Sequence, residues 1–265
     1  MLDIITCCND PRIDDLKRLI HSIEAHAPSA RLRVIAFDED ITMTERIVRN
    51  AGGTMLACDP LWSALGQRLF HGRGHYRPGV PMWMYFHKLN MFNEVNGPTV
   101  YLDANSVLLS GETPPTPGAN EILFHSIAMR GRNIPERSQF VRAWAPEINE
   151  GFNLGYCHFG PKVADLLRQF AAIVPGLHGA FLGPAPEQSF LTYAMAFLDI
   201  HGRLLHDLDP GIAPTNNGSL PIEQDAQGIY RYVDPPFGGQ RVLSAKRPGS
   251  PEMDPVQRRL FGQFD

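Results

Sequence analysis

The chain has 265 residues, enough to bury the core of one large α/β domain, and 43% of them are hydrophobic. Its formal net charge is −4 and its 24 Lys and Arg are scattered, so it carries no electrostatic footprint for nucleic acid or an anionic membrane, and a small molecule is the expected partner. No apolar stretch reaches bilayer-spanning length, and the N-terminus lacks a basic region leading into an apolar one, so the expectation is a cytoplasmic protein with no integral membrane segment, peripheral contact with a membrane staying open.

The first 60 residues read as strand, helix, strand, helix, strand. Leu2 to Cys7 is a short apolar run, and Ile13, Leu16, Leu19, Ile20 and Ile23 then recur at helical spacing. "LRVIAF" (32–37) has the pattern of a buried strand, Thr42 to Ala51 that of a helix stopped by Gly52-Gly53, and "TMLAC" (54–58) that of a third strand. Such alternation predicts a mostly parallel sheet flanked by helices, with the ligand crevice beyond the carboxyl ends of the strands. After the first strand, "CCNDPR" is neither a dinucleotide fingerprint nor a phosphate loop. Residues 66–82, rich in Gly, Pro, His and Arg, read as a loop. A helix over 84–95 and a strand over 99–102 follow, then strands within 121–129 and 151–160. Helices are expected over 161–172 and 186–198. Beyond 199 the chain reads as loop-rich, with short strands at 229–233 and 241–244. Cys7, Cys8, Cys58 and Cys157 have no metal or redox spacing and read as free thiols.

Four places carry candidate chemistry. In "PTVYLDANSVLL" (98–109) a polar island interrupts an apolar run. Asp103 and Asn105, two apart at a strand end, offer hard oxygens to Mg²⁺ or Mn²⁺ bridging to a diphosphate, while the plain alternative is a turn. Lys88 falls in the middle of an apolar helical stripe, where an ammonium is costly unless it reaches water or an anion. In "EGFNLGYCHFG", Asn153 and Gly155 interrupt an aromatic strand, as a ligand contact or a bulge would. In "PEQSF", Glu187 and Gln188 stand in the first turn of a helix, stabilised by its dipole or poised at the crevice. His158 reads as a core residue.

Taken in order, "HKLNMF", "VYLDANSVLL", "GFNLGY" and "PEQSFL" resemble the GT-A glycosyltransferases, most closely the family 8 type that includes glycogenin and bacterial lipopolysaccharide galactosyl- and glucosyltransferases. Those enzymes have a basic residue on a helix before a "YLDAD" strand, then an "FNSG" strand and a helix opening with "DQ". The resemblance covers about residues 2 to 198. It implies a GT-A fold in one domain, 1–265, with a nucleotide-binding half (1–110) and an acceptor half (111–265). The implied activity is transfer of a sugar from a nucleoside diphosphate sugar, a UDP-sugar by preference, to a hydroxyl of a glycan, lipopolysaccharide or polysaccharide.

Carried over by residue, the resemblance assigns Asp103 to the donor ribose and the metal, Asn105 to the metal, and Lys88 to the donor. Asn153 and Gly155 would line the sugar and acceptor site. Glu187 and Gln188 would be catalytic, holding sugar hydroxyls or stabilising the reacting centre. Thr6, Cys7 and Asp10 would lie around the nucleoside, and Lys246 would meet the leaving diphosphate. The chain departs from the pattern twice. Asn105 replaces an acid, and "VLSAKRPGSP" (242–251) keeps Lys246 and Pro248 but has Ser244 at the place of a metal-binding histidine. Two other readings stand beside this one, a GT-A scaffold that binds without catalysis and a nucleotidyltransferase.

Overall fold

The computed structural model describes residues 1–70, 75–77, 80–93, 97–109, 111, 115–124, 154–174, 186–208, 222–224, 226, 230–232, 242–244 and 255–265. In chain order the strands are β1 (Asp3–Cys8), β2 (Arg31–Ala36), β3 (Thr54–Leu56), β4 (His75–Arg77), β5 (Val80–Pro81), β6 (Thr99–Leu102) and β7 (Ser106–Leu108), followed by β8 (Glu121–Phe124), β9 (Tyr156–Phe159), β10 (His201–Leu204), β11 (Ile222–Gln224), β12 (Tyr230–Tyr232) and β13 (Val242–Ser244). The helices are α1 (Ile13–His26), α2 (Thr42–Asn50), α3 (Pro60–Phe70), α4 (Val163–Ile173), α5 (Pro186–Phe197), α6 (Leu205–Leu208) and α7 (Pro255–Gly262), with 3-10 turns over Asp10–Arg12 and Met82–Asn93.

Seven strands form one sheet in the order β10-β8-β9-β6-β1-β2-β3. β1, β2, β3 and β6 pair in parallel, β9 runs against both β6 and β8, and β10 is parallel to β8. Every strand of the sheet except β9 therefore points the same way. The chain order reverses between β1 and β6, so a crevice opens beyond the carboxyl ends of these two strands. Side chains alternate across the sheet. Ile5, Cys7 and Tyr101 face a core built with α3, the Met82–Asn93 segment, α4 and α5. Ile4, Cys8, Val34, Val100 and Leu102 face α1 and α2 on the other side.

The expected early strands and helices are present, and "YRY" and "VLS" form β12 and β13 within the ranges read as short strands. Three segments differ from expectation. Residues 66–70 belong to α3, not to a loop, and His75–Arg77 pairs with Val80–Pro81. α3 starts on Pro60, with the Leu61 N–H bonded to the Asp59 carboxylate at 2.8 Å, and buries Trp62, Leu65, Leu69 and Phe70. Gly66 sits inside it because a Cβ there would lie 2.7 Å from the Trp83 carbonyl oxygen, so α3 packs against the next segment through its glycine. That segment, Met82–Asn93, is wound as a 3-10 helix instead of the expected α-helix. The Asn90 amide donates to the His87 carbonyl at 2.8 Å and its oxygen accepts from the Asp59 N–H at 2.6 Å, local bonding that competes with the α-helical ladder. Finally, the region beyond 199 holds β10, β11, α6 and α7. β10 is a polar, half-exposed edge strand paired with β8, which leaves it no apolar alternation to read. Residues 125–129 and 151–153 of the expected strands lie outside the described residues. Among the described residues no helix is long and apolar enough to cross a membrane.

Gly160 marks where β9 turns into α4, and a Cβ there would lie 1.9 Å from the Gly118 carbonyl oxygen. Gly160→Ala is expected to lower unfolding free energy by about 2 kcal/mol or more, as overpacking against backbone does. Gly97, with nothing within 4 Å of its Cβ position, is the control. Its alanine variant is expected to stay within about 0.5 kcal/mol in urea denaturation, and equal losses at both positions would contradict this account.

Candidate active site

β6 ends at Leu102 and the chain turns at once, the Ser106 N–H donating to the Asp103 carbonyl at 2.9 Å. "DANS" is thus a tight turn between β6 and β7, and it also presents a carboxylate. Asp103 keeps the side of the sheet that Tyr101 faces, and the Tyr101 hydroxyl donates to Asp103 Oδ1 at 2.9 Å. Its backbone N–H donates to the Gly155 carbonyl at 2.8 Å, so the start of the turn is tied to the chain entering β9. Asn105 stands within the turn and not on the strand, so strand alternation does not by itself fix its side chain relative to Asp103.

Lys88 comes from the 3-10 segment beneath β1. With three residues per turn, Met82, Tyr85, Lys88 and Met91 share one row, replacing the α-helical arc read from the sequence. Lys88 is 8% exposed, and its Nζ lies 2.8 Å from Asp103 Oδ1 and 5.1 Å from the centroid of the Tyr101 ring. Burial opposes its charge. The Asp103 carboxylate and then Glu187 outweigh that cost and hold the ammonium charged well above the ordinary lysine range.

Glu187 is the second carboxyl of the cluster. It stands in the first turn of α5, 2% exposed, with a hydrogen bond from the Gln188 side chain, while its Oε2 has no partner among the described residues. Burial raises its pKa, and the Lys88 ammonium only partly offsets this. Cys7, at the end of β1, interacts with the same ammonium from the core face.

Lys88, Asp103, Glu187, Gln188, Cys7 and the Gly155 backbone therefore form one constellation at the carboxyl ends of β1 and β6. Two expected residues stand apart from it. Thr6 shares the face of Ile4 and Cys8 and is fully buried under α1, because adjacent strand residues point opposite ways. Asp10 caps α2, accepting from the N–H groups of Met43 (2.9 Å) and Thr44 (2.7 Å) and from the Thr44 hydroxyl (2.9 Å). Against some desolvation, these bonds hold its carboxyl below its ordinary value. Asn153 and Lys246 lie outside the described residues. Sequence reasoning missed Tyr101, although its position two residues ahead of Asp103 on one strand face was the signal that could have found it.

For a divalent ion the site offers little. Asp103 is the one acid of the turn, both of its side-chain contacts fall on Oδ1, and Asn105 is neutral. β13 places Ser244 in register with Ser106. Among the described residues no three His, Cys, Asp or Glu stand together as a metal would require. Among the described residues the donor set fits a resident Mn²⁺ or Mg²⁺ poorly.

No protein-family model matches the chain, and no curated protein matches it in sequence. Among solved structures it superposes on the galactosyltransferase LgtC in complex with donor and acceptor sugar analogues, with TM-score 0.54 and 15% identity, covering 99% of this chain and 93% of that one. An active-site mutant of LgtC gives TM-score 0.59 at 15% identity, over 99% and 94%. The apo glycosyltransferase GlyE of Streptococcus pneumoniae TIGR4 gives 0.44 at 16% identity, over 76% of this chain and 44% of that one, so the chain spans less than half the length of GlyE. The chain has the α/β GT-A glycosyltransferase fold of LgtC over nearly its whole length.

Two outcomes follow for the cluster. Lys88→Met removes the cation between two carboxyl groups and is expected to cost about 2 kcal/mol in chemical denaturation, below the figure for a fully buried pair because Asp103 is partly in water. For Glu187 the folded state keeps a proton that the unfolded chain releases above about pH 4.5. Its contribution to stability is therefore whole below that pH and is lost as pH rises through the folded pKa. Glu187→Gln is expected to match the parent near pH 4 and to gain on it towards neutrality; a difference independent of pH would contradict the assignment.

Proposed function

We propose that this chain is a glycosyltransferase that moves a sugar from a nucleoside diphosphate sugar, a UDP-sugar by preference, to a hydroxyl of a glycan-type acceptor. The observation that carries the reading is the ion pair of the buried Lys88 with the half-exposed Asp103, close to Glu187 at the switch point of the sheet. A structural core has no use for three ionisable side chains there, whereas a crevice that takes a charged donor does.

In the reaction the bond from the anomeric carbon to the diphosphate oxygen breaks, the acceptor oxygen bonds to that carbon, and the acceptor's proton passes to the leaving diphosphate. Negative charge develops on the leaving diphosphate, and a fixed ammonium such as Lys88, held in a largely dry site, stabilises it without reorganising. Among the described residues Asp103 has Oδ2 left over to accept from a donor hydroxyl, since Lys88 and Tyr101 both engage Oδ1. The unpartnered Oε2 of Glu187 and the Gln188 amide offer hydrogen bonds to the transferred sugar. The rigid sheet and the Asp103–Gly155 backbone bond hold these groups in place while donor and acceptor align. Asn153 and Lys246 are proposed to complete the sugar and diphosphate contacts.

Calorimetric titration with UDP in the presence of Mn²⁺ is expected to show binding, and Asp103→Ala to weaken it about tenfold or more, the loss of a charge-assisted hydrogen bond. Incubation with a panel of nucleotide sugars is expected to release nucleoside diphosphate by transfer or hydrolysis. Absence of nucleotide binding would overturn the proposal, and binding without turnover would assign the chain to a non-catalytic scaffold.

A further inference from the structure

A divalent ion shared with a diphosphate needs hard, anionic oxygens free to turn towards it. The Asp103–Ser106 turn supplies one such group, followed by the neutral Ala104, Asn105 and Ser106, and β13 adds a serine in register rather than an acid or an imidazole. One oxygen of that carboxylate is already engaged by a cation. Lys88 Nζ and the Tyr101 hydroxyl both lie on Asp103 Oδ1, at 2.8 and 2.9 Å, with the Tyr101 ring 5.1 Å from the ammonium. An ion coordinated by Oδ1 would sit close against the ammonium, a like-charge contact with little water between to screen it. At 8% exposure, Lys88 is too enclosed to withdraw to solvent. Among the described residues no cluster of His, Cys, Asp and Glu makes up the shortfall.

We propose that this donor site binds its nucleoside diphosphate without a resident divalent cation, the Lys88 ammonium supplying the fixed positive charge. The inference rests on the nucleotide-sugar reading above and goes beyond it, replacing the metal that the resemblance implies with a side chain of the protein. Its chemical logic is that a permanent cation already paired to Asp103 can pass part of its hydrogen bonding to an incoming phosphate oxygen, with no ion to recruit or release. Three donors on one ammonium suffice for a carboxylate and a phosphate together.

The test is UDP titration of the full chain in excess EDTA and in saturating Mn²⁺. The two dissociation constants are expected to agree within about threefold. Lys88→Met, checked for fold by circular dichroism, is expected to weaken UDP about tenfold or more in both buffers alike. Asn105→Asp restores a second carboxylate, and in the presence of UDP and protein it is expected to broaden the Mn²⁺ electron paramagnetic resonance signal beyond what the wild type does. If EDTA weakens wild-type UDP binding about tenfold or more, and Asp103→Ala removes that dependence, the metal-free site is overturned while the nucleotide-sugar reading stands. If UDP, GDP and ADP bind in neither buffer, the nucleotide-sugar reading falls and takes this inference with it.

Discussion

An ammonium buried in a protein core must be paired, and the pairing of Lys88 with Asp103 is the constraint around which the central part of this molecule is arranged. β6 stops where it does so that Asp103 can leave the strand without leaving the core face. The Met82–Asn93 segment runs beneath the sheet with Lys88 in the row that meets that carboxylate. The residue that leads into β9, Gly155, contributes the carbonyl that fixes the Asp103 backbone. α5 begins there and sets Glu187 within the field of the same ammonium. Four elements thus converge on one charge.

Much of this was legible in the chain itself, and for a common reason. Lys88 and Asp103 are polar groups in apolar surroundings, and such a mismatch shows in the linear order of residues alone. The alternation of strands and helices through residue 56 was equally legible, because buried strands and amphipathic helices differ in period. The missing pieces have separate physical causes. Tyr101 escaped notice because an aromatic residue in a buried strand is ordinary, and only its hydroxyl sets it apart. Thr6 and Asp10 were assigned by resemblance, whereas alternation along β1 separates Thr6 from Cys7, and the free N–H groups of α2 claim Asp10. α3 was partly hidden under a glycine that reads as a loop signal but serves here as a contact surface. The polar edge strand β10 has no apolar face from which to be recognised.

Fold and site constrain function to different degrees. The sheet order and its match to LgtC concern the backbone alone, and a GT-A sheet hosts whatever chemistry its crevice residues permit. What distinguishes this chain is its own set of crevice residues. A neutral amide follows Asp103 by two, and serines occupy the paired positions of β7 and β13. The Asp103–Ser106 turn thus carries a single carboxylate with neutral side chains after it, and Lys88 is the cation that faces it.

The winding of the Met82–Asn93 helix has a consequence of its own. A 3-10 helix advances about 120° per residue and an α-helix about 100°, so over the six residues from Met82 to Lys88 the two forms differ in aim by about 120°. The same sequence rewound as an α-helix would point Lys88 away from Asp103. The winding of this segment therefore decides where the cation of the site is directed, and the Asn90 side-chain bond to the His87 carbonyl lies within it.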